Sequence, residues 1–343
     1  MTAIDAKAAP AKRIEEVRKA WSDANVTPLW ETAAHRPGDA VPRAYLWKWQ
    51  RLRPLLDDAI ECASMQDAER RVLALTNPDA VGGRNTITNL NGCLQVLLPG
   101  ESARPHRHTP NALRFVLEGN GATTLVDGKP CPMSEGDLII TPGMTWHEHV
   151  HTGTAPIVWF DALDVPLHNY LGTAVFQGGP AADALKQVDD AAFAIANIVP
   201  ELADTSQAYS PVFRYPWEDS QSALRAAPTS RDGSRRIRYV NPMTGGPAIR
   251  LLDCHMSEIA SDTETVPYRS TSNGVCVVVE GQGTSRVGNQ SFEWTAKDIF
   301  SLPHGNWITH RAESKNATLF VVTDREVLRR LDLLVEEYGN DRF

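Results

Sequence analysis

Two stretches of this chain are copies of each other, and that duplication limits its folds more than any other feature. Pro105-His106-Arg107-His108 aligns with Pro267-Tyr268-Arg269-Ser270. Ten residues after His108 comes Glu118-Gly119-Asn120-Gly121, and ten after Ser270 comes Glu280-Gly281-Gln282-Gly283. Asp137 precedes Pro142 by five residues, as Asp298 precedes Pro303; Trp146 and Trp307 each follow their proline by four. A repeat of this length implies two homologous units packed together. The 343 residues have room for two domains of about 150 each.

Both copies read as β-structure. In the first, Leu94–Leu98, Leu113–Leu117, Ala122–Val126, Leu138–Ile140 and Ile157–Phe160 are short β-rich runs separated by Gly, Pro, Asn and Asp. That punctuation indicates an antiparallel sandwich or barrel. We expect an N-terminal helical region over 1–85, a first barrel over 86–176, a connector over 177–235, a second barrel over 236–323 and a C-terminal helix over 324–343. Within the N-terminal region the apolar spacing of Leu56, Ile60, Val72 and Leu75 predicts a helix over Arg53–Leu75. Trp30, Tyr45, Trp47 and Trp49 form an aromatic cluster before it, read as core or subunit packing. Val327, Leu328, Leu331 and Leu334 place one apolar face on the terminal helix, Asp324–Gly339.

Composition removes several function classes. A net charge of -8 without a long Lys/Arg block argues against a nucleic-acid partner. The longest apolar stretches, such as Val275–Val279, fall far short of the roughly 20 residues of a membrane span. The N-terminus carries charges at Asp5, Lys7, Lys12 and Arg13 and lacks the apolar core of a signal peptide. Five widely spaced cysteines suggest neither a disulfide framework nor a CxxC metal site, so the cytoplasm is expected.

Five of the ten histidines (His106, His108, His147, His149 and His151) lie between residues 106 and 151. In an extended segment, side chains alternate with period two, so His106 and His108 project from one face. A third histidine about 40 residues on, after a Gly-Asp turn and a proline, can return on a neighbouring strand. Three imidazoles could then hold one metal. In the second copy Tyr268, Ser270 and Ile308 stand at the three positions, which leaves one metal per chain.

These residues resemble the cupin superfamily. Gly100, His106-x-His108 and Gly119 match its first motif; Gly136, Pro142 and His147 match its second. Where most cupins carry a glutamate, four residues after the second histidine, this chain has Ala112. Glu118 is no replacement, because the copy without ligands keeps Glu280. The resemblance implies a mainly β fold: a bicupin of two jelly-roll barrels. Three neutral ligands without a carboxylate favour a six-coordinate metal such as iron(II) over zinc, which usually stops at four.

A closer resemblance, over nearly the whole chain, is to the gentisate 1,2-dioxygenase family, which includes the salicylate and 1-hydroxy-2-naphthoate dioxygenases. It is carried by Leu46-Trp47-Lys48-Trp49, Leu52-Arg53-Pro54-Leu55-Leu56, Arg70-Arg71-Val72-Leu73, Leu94-Gln95 and His106-Arg107-His108-Thr109. Ala112-Leu113-Arg114-Phe115, Trp146-His147, Trp159-Phe160-Asp161 and Arg238-Tyr239-Val240-Asn241-Pro242 continue it. It implies one Fe(II) per chain, a small aromatic acid and O2 as substrates, insertion of O2 between the carboxyl- and hydroxyl-bearing ring carbons, and a homotetramer.

Roles follow as expectations. His106, His108 and His147 bind iron. Arg114, six residues after His108, keeps the strand face and forks onto the substrate carboxylate. His149 hydrogen-bonds the phenolate or dioxygen and shuttles a proton. Gln95 is a donor from a neighbouring strand, and Arg70 is a second anion contact from the helical region. Trp159 packs on the ring and Asp161 orients a histidine; for Arg70 and Asp161 a structural salt bridge is the competing reading.

Family members commonly read Trp-His-Asp-His-Gly-Asn where this chain reads Trp146-His147-Glu148-His149-Val150-His151. Asn91 and Cys93 also replace small or aromatic residues. Both changes fall near the expected pocket and bear on the substrate. Asn91 could serve a 5-nitro group or a 5-hydroxyl. The expected order is a 5-substituted salicylate (gentisate or 5-nitrosalicylate), then salicylate, then 1-hydroxy-2-naphthoate. The rival readings are a zinc or manganese cupin isomerase or hydrolase, and a non-enzymatic cupin.

Overall fold

The computed structural model describes residues 11–24, 26, 28, 43–64, 70–80, 85–179, 188–195, 198–201 and 209–339. Trp30 of the expected aromatic cluster lies outside them. The chain divides into two compact units, Met1–Ala40 and Val41–Phe343. In the first, helix α1 (Ala11–Asp23) carries an i,i+4 pair, Lys19 to Asp23 at 2.6 Å.

The second unit opens with β1 (Leu46–Trp47), α2 (Trp49–Cys62) and β2 (Arg71–Ala74). There follow β3 (Asn91–Leu97), β4 (Ser102–His108), β5 (Ala112–Glu118), β6 (Asn120–Val126), β7 (Lys129–Ser134), β8 (Leu138–Thr141), β9 (His147–His151) and β10 (Ile157–Leu163). Helix α3 (Val165–Tyr170) leads to β11 (Phe176–Gly178), and the connector holds β12 (Arg214–Tyr215) and α4 (Trp217–Ala226). The second copy comprises β13 (Arg235–Arg238), β14 (Asp253–Ala260), β15 (Tyr268–Ser270), β16 (Gly274–Glu280), β17 (Gln282–Val287), β18 (Gln290–Thr295), β19 (Ile299–Leu302), β20 (Ile308–Ala312) and β21 (Asn316–Thr323). It closes with α5 (Arg325–Arg330) and β22 (Glu336–Tyr338).

These strands form four antiparallel sheets, two to a barrel. Barrel 1 combines β12-β8-β5-β10-β3-β2 with β11-β4-β9-β6-β7, and barrel 2 combines β1-β19-β16-β21-β14-β13 with β18-β17-β20-β15-β22. The mainly β, bicupin architecture is that of the duplication. Its turns follow from residue type. Asp127-Gly128 joins β6 to β7 with both φ angles positive, 45° and 79°, as a two-residue hairpin needs. Gly119 and Gly281 are the repeated glycines after Glu118 and Glu280. Each has a positive φ, and a Cβ there would meet a carbonyl oxygen at 2.5 Å (Pro156) or 2.4 Å (Asn316).

The larger sheets lie between the barrels, so their strands bury both faces. On β5, Arg114 faces into barrel 1 while Phe115 stacks on Phe320 of barrel 2, with centroids 4.5 Å apart and 14° between planes. Continuous apolar runs such as Leu138–Ile140 are thus strands buried on both sides.

The repeat is longer than its motifs, and its leading segments are exchanged. β1 pairs with β19 of barrel 2, while β12, from the connector, pairs with β8 of barrel 1. Two buried carboxylates hold the exchange. Asp298 accepts from the Trp49 amide at 2.7 Å and Lys48 Nζ at 3.0 Å, starting α2; Asp137 accepts from the Trp217 amide at 2.9 Å and Arg214 Nε at 3.0 Å, starting α4. A carboxylate against a helix's first amides meets the positive end of its dipole.

Three expectations of helix change. The helix expected over Arg53–Leu75 runs Trp49–Cys62, and Arg71–Ala74 is instead an edge strand on β3. Arg70 therefore comes from a strand entry and not from a helix. A short apolar run carries no period of its own, so an open edge decides its structure. The terminal helix stops at Arg330 because Asp332 turns left-handed, φ 58°, and Glu336–Tyr338 becomes a strand on β15. Barrel 1 does the same: after α3, Gly172 has φ 65° and Phe176–Gly178 pairs with β4. Among the described residues no helix is long and apolar enough to cross a membrane.

Candidate metal centre

His106 and His108 end β4, and His147 begins β9, which pairs with β4 at His106. One ring nitrogen from each lies within 4.8 Å of the other two. Nδ1 of each ring is bound to a backbone carbonyl two residues away: His106 to Arg104 at 3.0 Å, His108 to Pro110 at 2.7 Å and His147 to Thr145 at 3.0 Å. A carbonyl only accepts, so each Nδ1 carries the proton and each Nε2 keeps a lone pair. Burial, reinforced by the charges of Arg70 and Arg114, lowers His106 to about 3. Burial likewise lowers His108 to about 4 and His147 well below its usual value. All three are neutral donors at neutral pH.

The donor set fits a metal ion. Nε2 of His147 is buried without a partner, which a ligated imidazole nitrogen would not be. Of six such buried side-chain atoms among the described residues, five belong to this barrel's interior: Asn91 Oδ1, Gln95 Nε2, Arg114 Nε, His147 Nε2 and Asp161 Oδ1. Donors and acceptors left unmet in one chamber point to a polar ligand there. Ala112 is buried and offers no ligand atom, while Glu118 pairs with Arg53 at 3.0 Å and Lys297 at 3.4 Å, away from the triad.

Arg114, Gln95, Trp159 and Asp161 lie on three neighbouring strands of one sheet. Arg114 lies opposite Asp161 in the β5–β10 ladder, and Gln95 opposite Trp159 in β3–β10. Arg114 is on β5, past a turn from His108, so the strand-face argument from an even offset does not apply. It faces inward because β5 returns beside β8. Its Nη1 donates to Thr141 Oγ1, and its Nε lies 3.2 Å from Asp161 Oδ1 without hydrogen-bond alignment. Asp161 orients no histidine; its Oδ2 accepts from Trp159 Nε1 at 2.9 Å. Burial, opposed by Arg114, raises its carboxyl to about 6. Trp159 is fully buried, its ring 5.3 Å from that of His149.

Arg70 Nη1 donates to the lone pair on His106 Nε2 at 2.5 Å. Its guanidinium lies 5.3 Å over Phe176, which in turn stacks on His106 at 5.4 Å. These residues border a 490 Å³ cavity at the barrel mouth. His151 is structural, its Nε2 bound to the Ala155 carbonyl at 2.7 Å.

Sequence reasoning missed Thr124, Thr141 and Phe176. Thr124 is fully buried on β6, and its hydroxyl lies 2.8 Å from His149 Nδ1. The repeat carried a signal for it: Ser285 stands at the equivalent position, 2.7 Å from Nδ1 of His310, the counterpart of His149. Phe176 arrives on a strand that no periodicity foretold.

The cupin-domain family description matches residues 93–165, from β3 to the start of α3. The chain is 34% identical to gentisate 1,2-dioxygenase 1 of Aquipseudomonas alcaligenes, over 95% of this chain and 96% of that one. It is 33% identical to the 5-aminosalicylate 1,2-dioxygenase of a Comamonas species, over 92% and 87%. Salicylate 1,2-dioxygenase from Pseudoaminobacter salicylatoxidans, in an adduct with gentisate, superposes with a TM-score of 0.90 at 27% identity, covering 98% and 97%. Identity at this level across nearly the full length, on a matching pair of barrels, places the chain in the gentisate 1,2-dioxygenase family, the aromatic ring-cleaving dioxygenases built as bicupins.

Proposed function

We propose that this enzyme inserts both atoms of O2 between C1 and C2 of a 2-hydroxybenzoate, using one Fe(II) held by His106, His108 and His147. The observation that carries this reading is the trio of Nε2 lone pairs, each fixed by a backbone bond at Nδ1, beside the buried guanidinium of Arg114. Iron(II) on three neutral imidazoles supplies open positions for the substrate's carboxylate and phenolate and the redox chemistry that activates O2.

The chain's own residues then bind and orient. Arg114 offers its guanidinium to the substrate carboxylate and is held in place by Thr141 at Nη1 and by the charge of Asp161 beside Nε. Arg70 and a metal ion compete for one lone pair on His106, so metal binding releases Arg70 to a second anion contact. His149, anchored at Nδ1 by Thr124, presents Nε2 to hold or move a proton at the phenolic oxygen. Gln95 Nε2 supplies a further donor.

Asn91 sharpens the substrate. Its buried, unpartnered atom as oriented here is Oδ1, an acceptor, which favours a substrate that brings a donor. The 5-hydroxyl of gentisate does so; a 5-nitro group has only acceptors. Gentisate therefore stands ahead of 5-nitrosalicylate, salicylate and 1-hydroxy-2-naphthoate. All five cysteines are free thiols, in keeping with a reducing cytoplasm. A homo-oligomer, the tetramer of the family expectation, is part of the same proposal. It is supported by exposed apolar side chains at the two equivalent helix–strand turns: Tyr170, Leu171 and Val175, and Leu331, Leu333 and Val335.

Oxygen uptake by iron(II)-loaded protein, offered gentisate, 5-aminosalicylate, salicylate and 5-nitrosalicylate in turn, tests the reading. Uptake matching ring-opened product one-to-one, fastest with gentisate, is expected. A preference for 5-nitrosalicylate overturns the assignment of Asn91. Turnover without oxygen consumption points to the isomerase or hydrolase alternative instead.

A further inference from the structure

Barrel 2 has lost every metal ligand, and a barrel kept only as scaffold would close over the vacated space with apolar side chains. It has not closed. A cavity of 460 Å³ occupies its interior, in the size range of small-molecule sites. Its polar lining is partly inherited and partly new. His310 lines it, and the hydroxyl–imidazole pair of barrel 1, Thr124 with His149, persists behind that lining as Ser285 with His310 at 2.7 Å. Arg236 is new: by ladder register it occupies the place of Val72, and His255 that of Cys93.

The charges around the cavity are unequally matched. Arg238 lies between Asp253 at 2.7 Å and Glu326 at 3.0 Å. Arg325 pairs with both oxygens of Glu336, at 3.0 and 2.6 Å. Arg236 instead donates to Nε2 of His255 at 2.6 Å, a neutral acceptor, which places the imidazole proton on Nδ1. Its nearest carboxylate oxygen, Asp232 Oδ2, is 4.0 Å away, beyond hydrogen-bond distance, and the other oxygen, Oδ1, accepts from the hydroxyls of Ser230 and Ser234 and the Ser234 amide. Arg236 is thus the cation of this cavity with the least neutralisation, and it lines the chamber on the same sheet as apolar Leu319 and Val321, which follow two strands away.

We propose that barrel 2 is a second binding site, for a small carboxylate with a ring-sized apolar body, the carboxylate on Arg236 and the body against Leu319 and Val321. The site binds without turnover, since among the described residues the side chains placed to hold a metal together are His106, His108 and His147 of barrel 1. The inference stands apart from the iron chemistry proposed for barrel 1.

The test is a 19F NMR titration of the full-length, metal-loaded chain with 4-fluorobenzoate, which lacks the ortho-hydroxyl needed for turnover. A bound resonance is expected that persists in Arg114→Met and weakens at least about tenfold in Arg236→Met, as loss of a charged hydrogen bond implies. Val321→Phe, which fills the cavity and leaves Arg236 in place, is expected to remove the same resonance and covers the event that Arg236→Met does not fold. A bound resonance abolished by Arg114→Met and untouched by Arg236→Met or Val321→Phe overturns the proposal. So does the absence of any bound resonance at millimolar probe.

Discussion

Replacing Asp161 by asparagine should separate the stability of the barrel-1 site from its chemistry. The carboxylate is buried, 3.2 Å from Arg114 Nε through one oxygen and bound to Trp159 Nε1 at 2.9 Å through the other. Burial lifts its pKa from 3.8 to about 6, against the pull of Arg114. Between those two values the folded chain keeps a proton that the unfolded chain has released. Stability therefore falls as pH rises through that window and stays reduced above it. At 1.36 kcal/mol per unit, the shift amounts to roughly 3 kcal/mol. Asparagine has the same shape and cannot ionise, so Asp161→Asn is expected to match the parent near pH 4 and to exceed it by up to about 3 kcal/mol near pH 8. Activity moves the other way. Arg114 loses the charge that holds it, and kcat/KM for the acid substrate should fall about 10- to 100-fold with metal content unchanged. Denaturant unfolding of chelator-treated parent and variant at several pH values reads the first effect. The histidines titrate in both proteins, so the difference isolates Asp161. Oxygen uptake by the iron-loaded pair reads the second. If Asp161→Asn proves less stable than the parent near pH 8, attraction to Arg114 outweighs burial, and the reasoning is refuted.

Three further outcomes follow from the geometry. His147→Ala should reduce bound metal from one per chain to near zero by elemental analysis, because two imidazoles cannot hold the ion; retention of a full equivalent would move the centre elsewhere. Arg70→Ala removes the donor that competes for His106 Nε2, so metal should bind at least as tightly while KM for the acid rises about tenfold or more; weaker metal binding would make Arg70 a structural support of the triad. Thr124→Val leaves His149 without its 2.8 Å anchor, and kcat should drop about 10- to 100-fold at constant metal content and little-changed KM. An unchanged kcat would remove His149 from the proton path.

The sequence alone determined whatever depends on local period or on copying. His106 and His108 share a face because strand side chains alternate, and the return of His147 follows from the turn residues before it. The duplication implied two barrels, and the loss of ligands in the second copy implied one centre. Only the tertiary structure decided who faces whom. Arg114 was legible as a candidate of the first barrel, but its approach from β5, and the placing of Asp161 beside it and not beside a histidine, depend on strand register, which no single strand encodes. The same holds where the chain borrows a partner. Arg71–Ala74 and Glu336–Tyr338 are strands because an open edge of β3 or β15 accepts them, and Leu46–Trp47 joins the barrel that lies some 250 residues along the chain. The cavity of barrel 2 was likewise invisible in sequence: the loss of three ligands reads as decay until the guanidinium of Arg236, arriving from an edge strand, is found inside it. Backbone hydrogen bonds between distant segments carry no residue signature, and that is why the fold had to disclose them.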